Sequence, residues 1–365
     1  MSLFNVQGVK ISGMASAVPS QCFTAESYID RFGTETVEKF IKSTKIKSTH
    51  QTKINQTASD LGYVAADYLL KELKIDRNKI GILLFVTLSP DYRKPATSCV
   101  LQMRLGLSMD CACMDAGHGC AGFVYGNQLM LSMMSASDAE YGLLILGETT
   151  SKLIGEDDHS VMMFGDAGAA VLYEKDESSN ITTLLKSDGK RFKALSVPAG
   201  GFREMQASYE KYLCNDNIVR NKYNLHMDGM EVFIFSTNDV PIAIKEYLEK
   251  TQKNIQDYDC VAFHQANYQI LNLLARKFKI DKNKMPICLD KYGNTSSVSI
   301  PLVLCDYYGE KNIGWQNVFA SGFGVGFAWG VTSFNLDSNK VFPVIETDEY
   351  FKEGKLDFRK RDVIE

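Results

Sequence analysis

Residues 115–123 read DAGHGCAGF, a cysteine framed by glycines with a histidine two positions before it. Ahead of this stretch, CACMDAG (111–117) reads as a strand. Behind it, AGFVYGNQLMLSMMSAS (121–137) opens a helix that is apolar on nearly every face, as a buried helix is. Cys120 therefore stands at a strand-to-helix turn. Backbone N–H groups and the helix dipole favour a thiolate at such a start. Gly119 and Gly122 allow a turn tight enough to expose the side chain. The competing reading is a structural cysteine, since buried thiols are common. The small-residue frame at a helix start favours the nucleophile. His118 invites the role of its base, but side chains two apart on a tight turn need not meet. A loop or pocket-wall role suits it better.

Outward from this turn the same order of elements occurs twice. In the first half, a helical face in TASDLGYVAADYLLKELKI (57–75), with Thr57 and Ser59 as candidate caps, precedes the apolar strand IGILLFVTLS (80–89). The helix TSCVLQMRLGL, the cysteine turn and the buried strand YGLLILGET follow. In the second half, GMEVFIFSTNDVPIAIKEYLEK (229–250) reads as a helix that Pro241 kinks or restarts. Then come the strand YDCVAFHQ, the helix NYQILNLLARKFKI, the strand MPICLDKYGN ending in a glycine turn, the helix TSSVSIPLVLCDYY and the strand WQNVFASGFGVG. Cys120 and Asn294 hold the same kind of place, 174 residues apart (294 − 120), and Ser89 and His264 stand 175 apart (264 − 89). Offsets that agree to within one residue at two landmarks argue for internal duplication.

Strands alternating with helices imply an α/β protein with mostly parallel sheets, whose strand-end loops carry the site. The expected division is 1–174 and 175–334 for the two halves, with 335–365 as an appended charged tail. Residues 174–222 fit neither repeat.

The composition of the 365 residues, 45% apolar and 23% charged with net charge −4, is that of a soluble globular protein and does not suggest nucleic acid. The uncharged run 312–336 holds five glycines and reads as buried strands around a loop, not a membrane span. The start lacks a secretory signal. Nine scattered cysteines without a CxxC fit a reducing cytoplasm, and Cys111 and Cys113 lack partners at zinc-ligand spacing. Alternation along a strand would bury both on one face.

His264 ends its strand, where catalytic groups of parallel sheets collect, and is a better base or polar partner than His118. Its competing reading is a satisfied core histidine. Asn294 is a candidate for the same site, against the competing role of helix N-cap. GFGVG (322–326) lacks the full dinucleotide fingerprint and precedes a strand, so a nucleotide site there is disfavoured.

These strings resemble β-ketoacyl-acyl-carrier-protein synthase III of the thiolase-fold condensing enzymes. DAGHGCAGF, FHQANYQI, LDKYGNTSSVSIP, MFGDAGAAVL, GFGVGFAWG and HMDGMEVF fall in family order over roughly residues 8–334. The resemblance implies a thiolase-like fold of two duplicated halves, layered α-β-α-β-α. It implies that Cys120 takes an acyl group from acyl-CoA, and that His264 and Asn294 stabilise the enolate formed as a malonyl thioester on acyl carrier protein loses CO2. The backbone N–H groups of Cys120 and Val325 would hold the oxyanion. No cofactor and no metal is implied, and a cytoplasmic homodimer is.

The chain departs from the pattern in places. KFIKSTKIK (39–47) replaces the Trp and Arg-Thr-Gly-Ile-Arg run that grips CoA. Lys94 replaces an aromatic that bounds the acyl pocket, where Phe323 and Gly324 are further expected lining residues. Gln269 replaces a basic docking residue, leaving Arg276, Lys277 and Lys279 for the carrier protein. Val325 replaces the middle glycine of a triple. These departures support a rival within the fold, a variant handling a non-standard acyl group in a secondary-metabolite or surface-polysaccharide pathway. Two other classes are remote. A papain-like cysteine protease shares the order Cys, His, Asn but not its signature, and intact Cys120, His264 and Asn294 argue against a non-catalytic scaffold.

Overall fold

A computed structural model describes residues 2–357. Nine strands form one hydrogen-bonded sheet: β1 (Ser2–Pro19), β2 (Ile80–Val86), β3 (Ala112–Ala116), β4 (Tyr141–Glu148), β5 (Ala167–Ser187), β6 (Cys260–Phe263), β7 (Trp315–Gly324), β8 (Ala328–Asp337) and β9 (Ile345–Thr347). The order is β6-β7-β8-β5-β4-β2-β3, with β1 on β5 and β9 on β1. Six helices concern the site: α1 (Ala58–Glu72), α2 (Thr97–Arg104), α3 (Gly122–Ser135), α4 (Gly229–Thr251), α5 (Tyr268–Phe278) and α6 (Ser299–Tyr308).

The duplication is visible in strand direction. In the first half β2 pairs in parallel with β3 and β4, and β5 closes it antiparallel. In the second, β6 and β7 are parallel and β8 closes it antiparallel. β5 belongs to both halves. Its first part pairs with β4, and its last part (182–187) pairs with β8. The expected boundary at 174/175 thus falls inside one strand. The strand is continuous because it supplies the antiparallel edge of one half and the first strand of the next.

The apolar faces give five layers. α1 and α2 cover the first half outside, around Leu69, Leu83, Phe85 and Leu101. α3 and α6 form the middle layer, where Phe123, Leu131, Leu302 and Leu304 pack between both sets of strands. α4 and α5 cover the second half, around Tyr247, Phe263, Leu271 and Phe319. A helix between two sheets must be apolar all round, and this explains the composition of α3. Close approach fixes one contact: a Cβ on Gly168 of β5 would overlap the backbone of Leu61 and Gly62 in α1. α1 itself begins at Thr57 with a capping box to Asp60, as the caps suggested.

Three expectations are corrected. Residues 285–288 form no strand, and Leu289–Tyr292 is a short helix. The Cys288 N–H bonds the side-chain Oε1 of Gln265 at 3.3 Å, so a donor that a sheet would use is taken. Pro241 does not break α4. The carbonyl its missing N–H leaves behind, that of Thr237, accepts from Lys277 Nζ at 3.2 Å. The tail is not simply appended after 334. β8 runs to Asp337, and β9 adds a parallel strand to β1 at 17–19 because Gln56 Nε2 anchors the Thr347 and Glu349 carbonyls. The last eight residues of that expected tail (358–365) lie outside the described residues. All nine cysteines are free; Cys111 is buried, whereas Cys113 is half-buried on an edge strand.

Candidate active site

The turn after β3 sets Cys120 just before α3, with Ala121 as the helix N-cap. The side chain is buried at 7% exposure, not exposed by its glycines. Gly324 lies so close that a Cβ there would stand 2.8 Å from Cys120 Sγ, and nearer still to its Cβ. Burial pushes the thiol pKa up, against the thiolate expected from the helix start. The Val325 backbone N–H, the Ser296 hydroxyl and the Cys120 N–H oppose that shift by favouring the anion. Ser296 Oγ is 3.8 Å from the sulfur.

His264 follows the last residue of β6, and its N–H bonds the Ser321 carbonyl of β7 at 2.9 Å. The ring is 1% exposed. Nδ1 lies 2.7 Å from Ser299 Oγ at the start of α6, and Phe323 meets the ring edge-on. Burial lowers its pKa to about 3, the Ser296 backbone opposing. The imidazole is neutral at physiological pH, so it forms no ion pair with Cys120 and offers one N–H and one acceptor.

Asn294 is buried, and its Oδ1 accepts from the Ser296 N–H at 2.9 Å. This leaves the Nδ2 amide as the donor for a ligand. Its backbone is clamped by the segment MFGDAG (163–168): the Asn294 N–H bonds the Met163 carbonyl, and the Gly165 N–H bonds the Asn294 carbonyl. That segment positions the asparagine.

Cys120, His264, Asn294, Phe323 and Gly324 line a single cavity of about 430 Å³. Its floor and walls come from both halves, as the duplication implied. Val325 lines a second cavity of about 250 Å³, on which Cys120 also opens. Five residues singled out in the sequence line neither cavity, three of them expected on a docking surface instead. Lys94 is exposed and lines neither cavity, since its loop turns to the surface. Arg276 and Lys277 end α5 and Lys279 follows it, about 10 Å along the axis from the Asn267–Ile270 end that borders the cavity. His118 stacks on Tyr125 at 4.2 Å and lines neither cavity. It is a neighbour of Cys120, not its partner.

Sequence reading missed Glu148 and Phe164. Phe164 borders both cavities. Glu148 ends β4, is 1% exposed and lines the smaller cavity. It accepts from the Leu88 N–H at 3.1 Å, Ser89 Oγ at 3.1 Å and Ser297 Oγ at 3.3 Å. Burial still raises its pKa to about 8. A carboxylate closing the apolar run YGLLILGE at a strand's C-terminal end was the available signal.

Among the described residues no helix is long and apolar enough to cross a membrane, and no cluster of three His, Cys, Asp or Glu side chains could hold a metal.

Residues 114–189 match the sequence-family model for 3-oxoacyl-[acyl-carrier-protein] synthase III, and 248–336 match the model for its C-terminal part. A putative 3-oxoacyl-[acyl-carrier-protein] synthase 3 of Campylobacter jejuni is 32% identical over 334 residues, 90% of this chain and 94% of the relative. A β-ketoacyl-[acyl-carrier-protein] synthase III of Clostridioides difficile is 32% identical over 88% of this chain and 96% of the relative. The crystal structure of a 3-oxoacyl-(acyl-carrier-protein) synthase from Burkholderia xenovorans superposes with a TM-score of 0.88 at 31% identity, over 95% of this chain and 99% of that one.

Proposed function

Because the chain belongs to the 3-oxoacyl-[acyl-carrier-protein] synthase III family of thiolase-fold condensing enzymes, and is an acyltransferase of that kind, we propose that Cys120, His264 and Asn294 carry out its decarboxylative condensation. The carrying observation is that these three side chains, from two halves of the chain, line one cavity. The papain-like alternative falls with the fold.

In the first step Cys120 Sγ attacks the carbonyl carbon of an acyl-CoA. The carbonyl oxygen becomes an oxyanion held by the backbone N–H groups of Cys120 and Val325. Collapse expels CoA, which leaves as the thiol with the cysteine's proton. The second thioester, malonyl on acyl carrier protein, then enters the 430 Å³ cavity. Asn294 Nδ2 and His264 donate to its thioester carbonyl, so the charge left as CO2 departs is stored as an enolate. For the ring to donate from Nε2, Nδ1 must accept, and Ser299 Oγ at 2.7 Å is placed to donate to it. The enolate carbon attacks the acyl-Cys120 carbonyl, the C–S bond breaks, and the leaving thiolate takes a proton from solvent. The products are a 3-oxoacyl-carrier protein and CO2. A neutral His264 suits this role, since a group with pKa near 3 has no proton to give away but can polarise a carbonyl. These steps call on no metal or redox cofactor.

Binding surfaces fit the same reading. Lys42, Lys45 and Lys47 are exposed around a recess with Tyr268, and Lys45 Nζ lies 5.9 Å above that ring. We assign to them the phosphate contacts that the Trp and Arg run makes elsewhere in the family, and to Arg276, Lys277 and Lys279 contacts with acidic carrier protein. Lysines are point charges where Arg would grip bidentately, and this favours a donor other than the usual one. The edge strand β3 bonds only β2 among the described strands, with Met103, Met109 and Met114 exposed nearby. A second copy on that edge would make the homodimer, with the Lys94 loop bounding the other subunit's cavity.

The test is intact mass after incubation with acyl-CoAs, for wild type and Cys120→Ala, followed by malonyl-carrier protein and assay of CO2. Acylation of Cys120 and CO2 release only on addition of the malonyl thioester are expected. Acylation without condensation would favour transfer to another nucleophile, the specialised variant. No acyl mass on Cys120 from any thioester would sink the mechanism at its first step.

A further inference from the structure

The turn that carries Val325 is held from behind by a side chain that lines neither cavity. β7 ends at Gly324 and β8 starts at Ala328, so Val325–Phe327 makes the whole connection. A Cβ on Gly324 would stand 2.8 Å from Cys120 Sγ, which places the turn against the sulfur. Phe327 stands at φ 43°. That left-handed region strains a residue with a Cβ, and a bulky one most. Such a residue keeps the conformation only where its surroundings impose it.

Three contacts impose it here. The Asp188 N–H bonds the Phe327 carbonyl at 2.8 Å. The Phe235 ring of α4 lies 4.4 Å from the Phe327 ring, and both side chains are at most 1% exposed. The Arg191 guanidinium covers the two rings, 4.6 Å from the Phe327 centroid and 5.4 Å from that of Phe235. Arg191 is itself gripped from two sides. Its Nε donates to Asp188 Oδ2 at 2.8 Å, and its Nη2 donates to Asp239 Oδ2 of α4 at 3.0 Å. Both ion pairs are partly exposed, so they add little stability of their own. What they fix is the plane of the guanidinium, because two nitrogens of a rigid fork are committed to two carboxylates.

We propose that Arg191 is a positioning residue for the oxyanion site: by clamping the Phe327 ring it fixes the turn 324–327, so that the Val325 N–H faces Cys120. The inference rests on the reading that Cys120 is acylated and that the Val325 N–H takes the oxyanion. It adds the group that sets this donor in place. Arg191 lines neither cavity, so it acts through the ring and not on the acyl group. A donor aimed before the reaction starts needs no reorganisation as charge develops, and a small misplacement forfeits much of its effect.

The experiment is single-turnover acylation of the full-length protein, read as intact mass, with whichever acyl-CoA from acetyl to decanoyl labels wild type fastest. Arg191→Gln should lower the maximum rate at least about tenfold and leave the half-saturating acyl-CoA concentration within about twofold. Its melting temperature should stay within about 4 °C of wild type. Arg191→Lys keeps a cation above the ring and should return to within about threefold of the wild-type rate. Phe327→Leu keeps the backbone strain without the ring, and adding Arg191→Gln to it should slow acylation no more than about twofold further. Asp239→Ala frees one side of the guanidinium and should slow acylation at least about threefold, which keeps the test open if Arg191→Gln unfolds. An unchanged maximum rate in Asp239→Ala and in a folded Arg191→Gln, a loss carried by half-saturation alone, or Arg191→Lys as slow as Arg191→Gln overturns this inference and leaves Cys120 acylation standing. Absence of label on wild type from every thioester overturns both together.

Discussion

The contact between His264 and Ser299 offers the sharpest test of the proposed division of labour. Both residues are 1% exposed, and Ser299 Oγ lies 2.7 Å from Nδ1. In Ser299→Ala the ring keeps its place between Phe323 and the Ser296 backbone but loses the hydroxyl that the proposed mechanism uses as donor to Nδ1. Removing one partner of a buried hydrogen bond costs roughly 1–2 kcal/mol. At 1.36 kcal/mol per decade, the decarboxylation rate should fall about 5- to 30-fold. The first step does not use His264, so acylation of Cys120 should stay within about twofold of wild type. The assay is CO2 release from malonyl-carrier protein beside intact-mass acylation, with thermal unfolding of both proteins to separate misfolding from chemistry. The reasoning is refuted if CO2 release is unchanged, or if acylation falls in parallel while the melting temperature holds.

Three further outcomes follow from other contacts. The pKa of Glu148 is raised to about 8 in the folded chain, so its neutral form is favoured. Stability from that group is complete below about pH 4.5 and is lost as pH rises through 8, on the order of 1.4 kcal/mol per pH unit between. Glu148→Gln can keep the Leu88 and Ser297 donors on Oε1 and donate to Ser89. Its stability advantage over wild type in urea titrations should widen from pH 4.5 to 8 and then level off, and a constant gap would contradict the buried-carboxyl account. Gly324→Ala places a methyl 2.8 Å from Cys120 Sγ. Acylation should be abolished while the fold persists by circular dichroism, and normal acylation would show that the turn relaxes. Arg104 pairs with Asp60 at 2.9 Å and lies between the rings of Tyr63 and Phe351, at 4.4 and 4.7 Å. Phe351→Ala should cost about 2 kcal/mol in denaturant unfolding, as loss of a desolvated cation–π contact does; no change would detach the tail from the first half.

What was legible in the chain depended on how local the cause was. Cys120 and His264 stand out as candidates in the sequence because each follows a short strand and precedes a helix, whereas Asn294 is pointed to by the duplication alone, since no strand precedes it. The strand expected at 285–288 could not be judged, because what cancels it is the side chain of Gln265, twenty-three residues earlier. Pro241 does not restart the helix for the same reason: Lys277, forty residues after Thr237, takes the Thr237 carbonyl that the proline strands. The missing thiolate at Cys120 is a case of two effects with opposite sign. A helix start and three donors favour the anion locally, but desolvation depends on Gly324, Val325 and the whole second half closing over the sulfur. Glu148 shows the limit most clearly. Its donors come from Leu88, Ser89 and Ser297, so no spacing around Glu148 itself registers them. The candidate centre is therefore legible where strands end before helices, at Cys120 and His264, whereas the setting of the buried carboxylate beside it is written in two segments far from it in the chain.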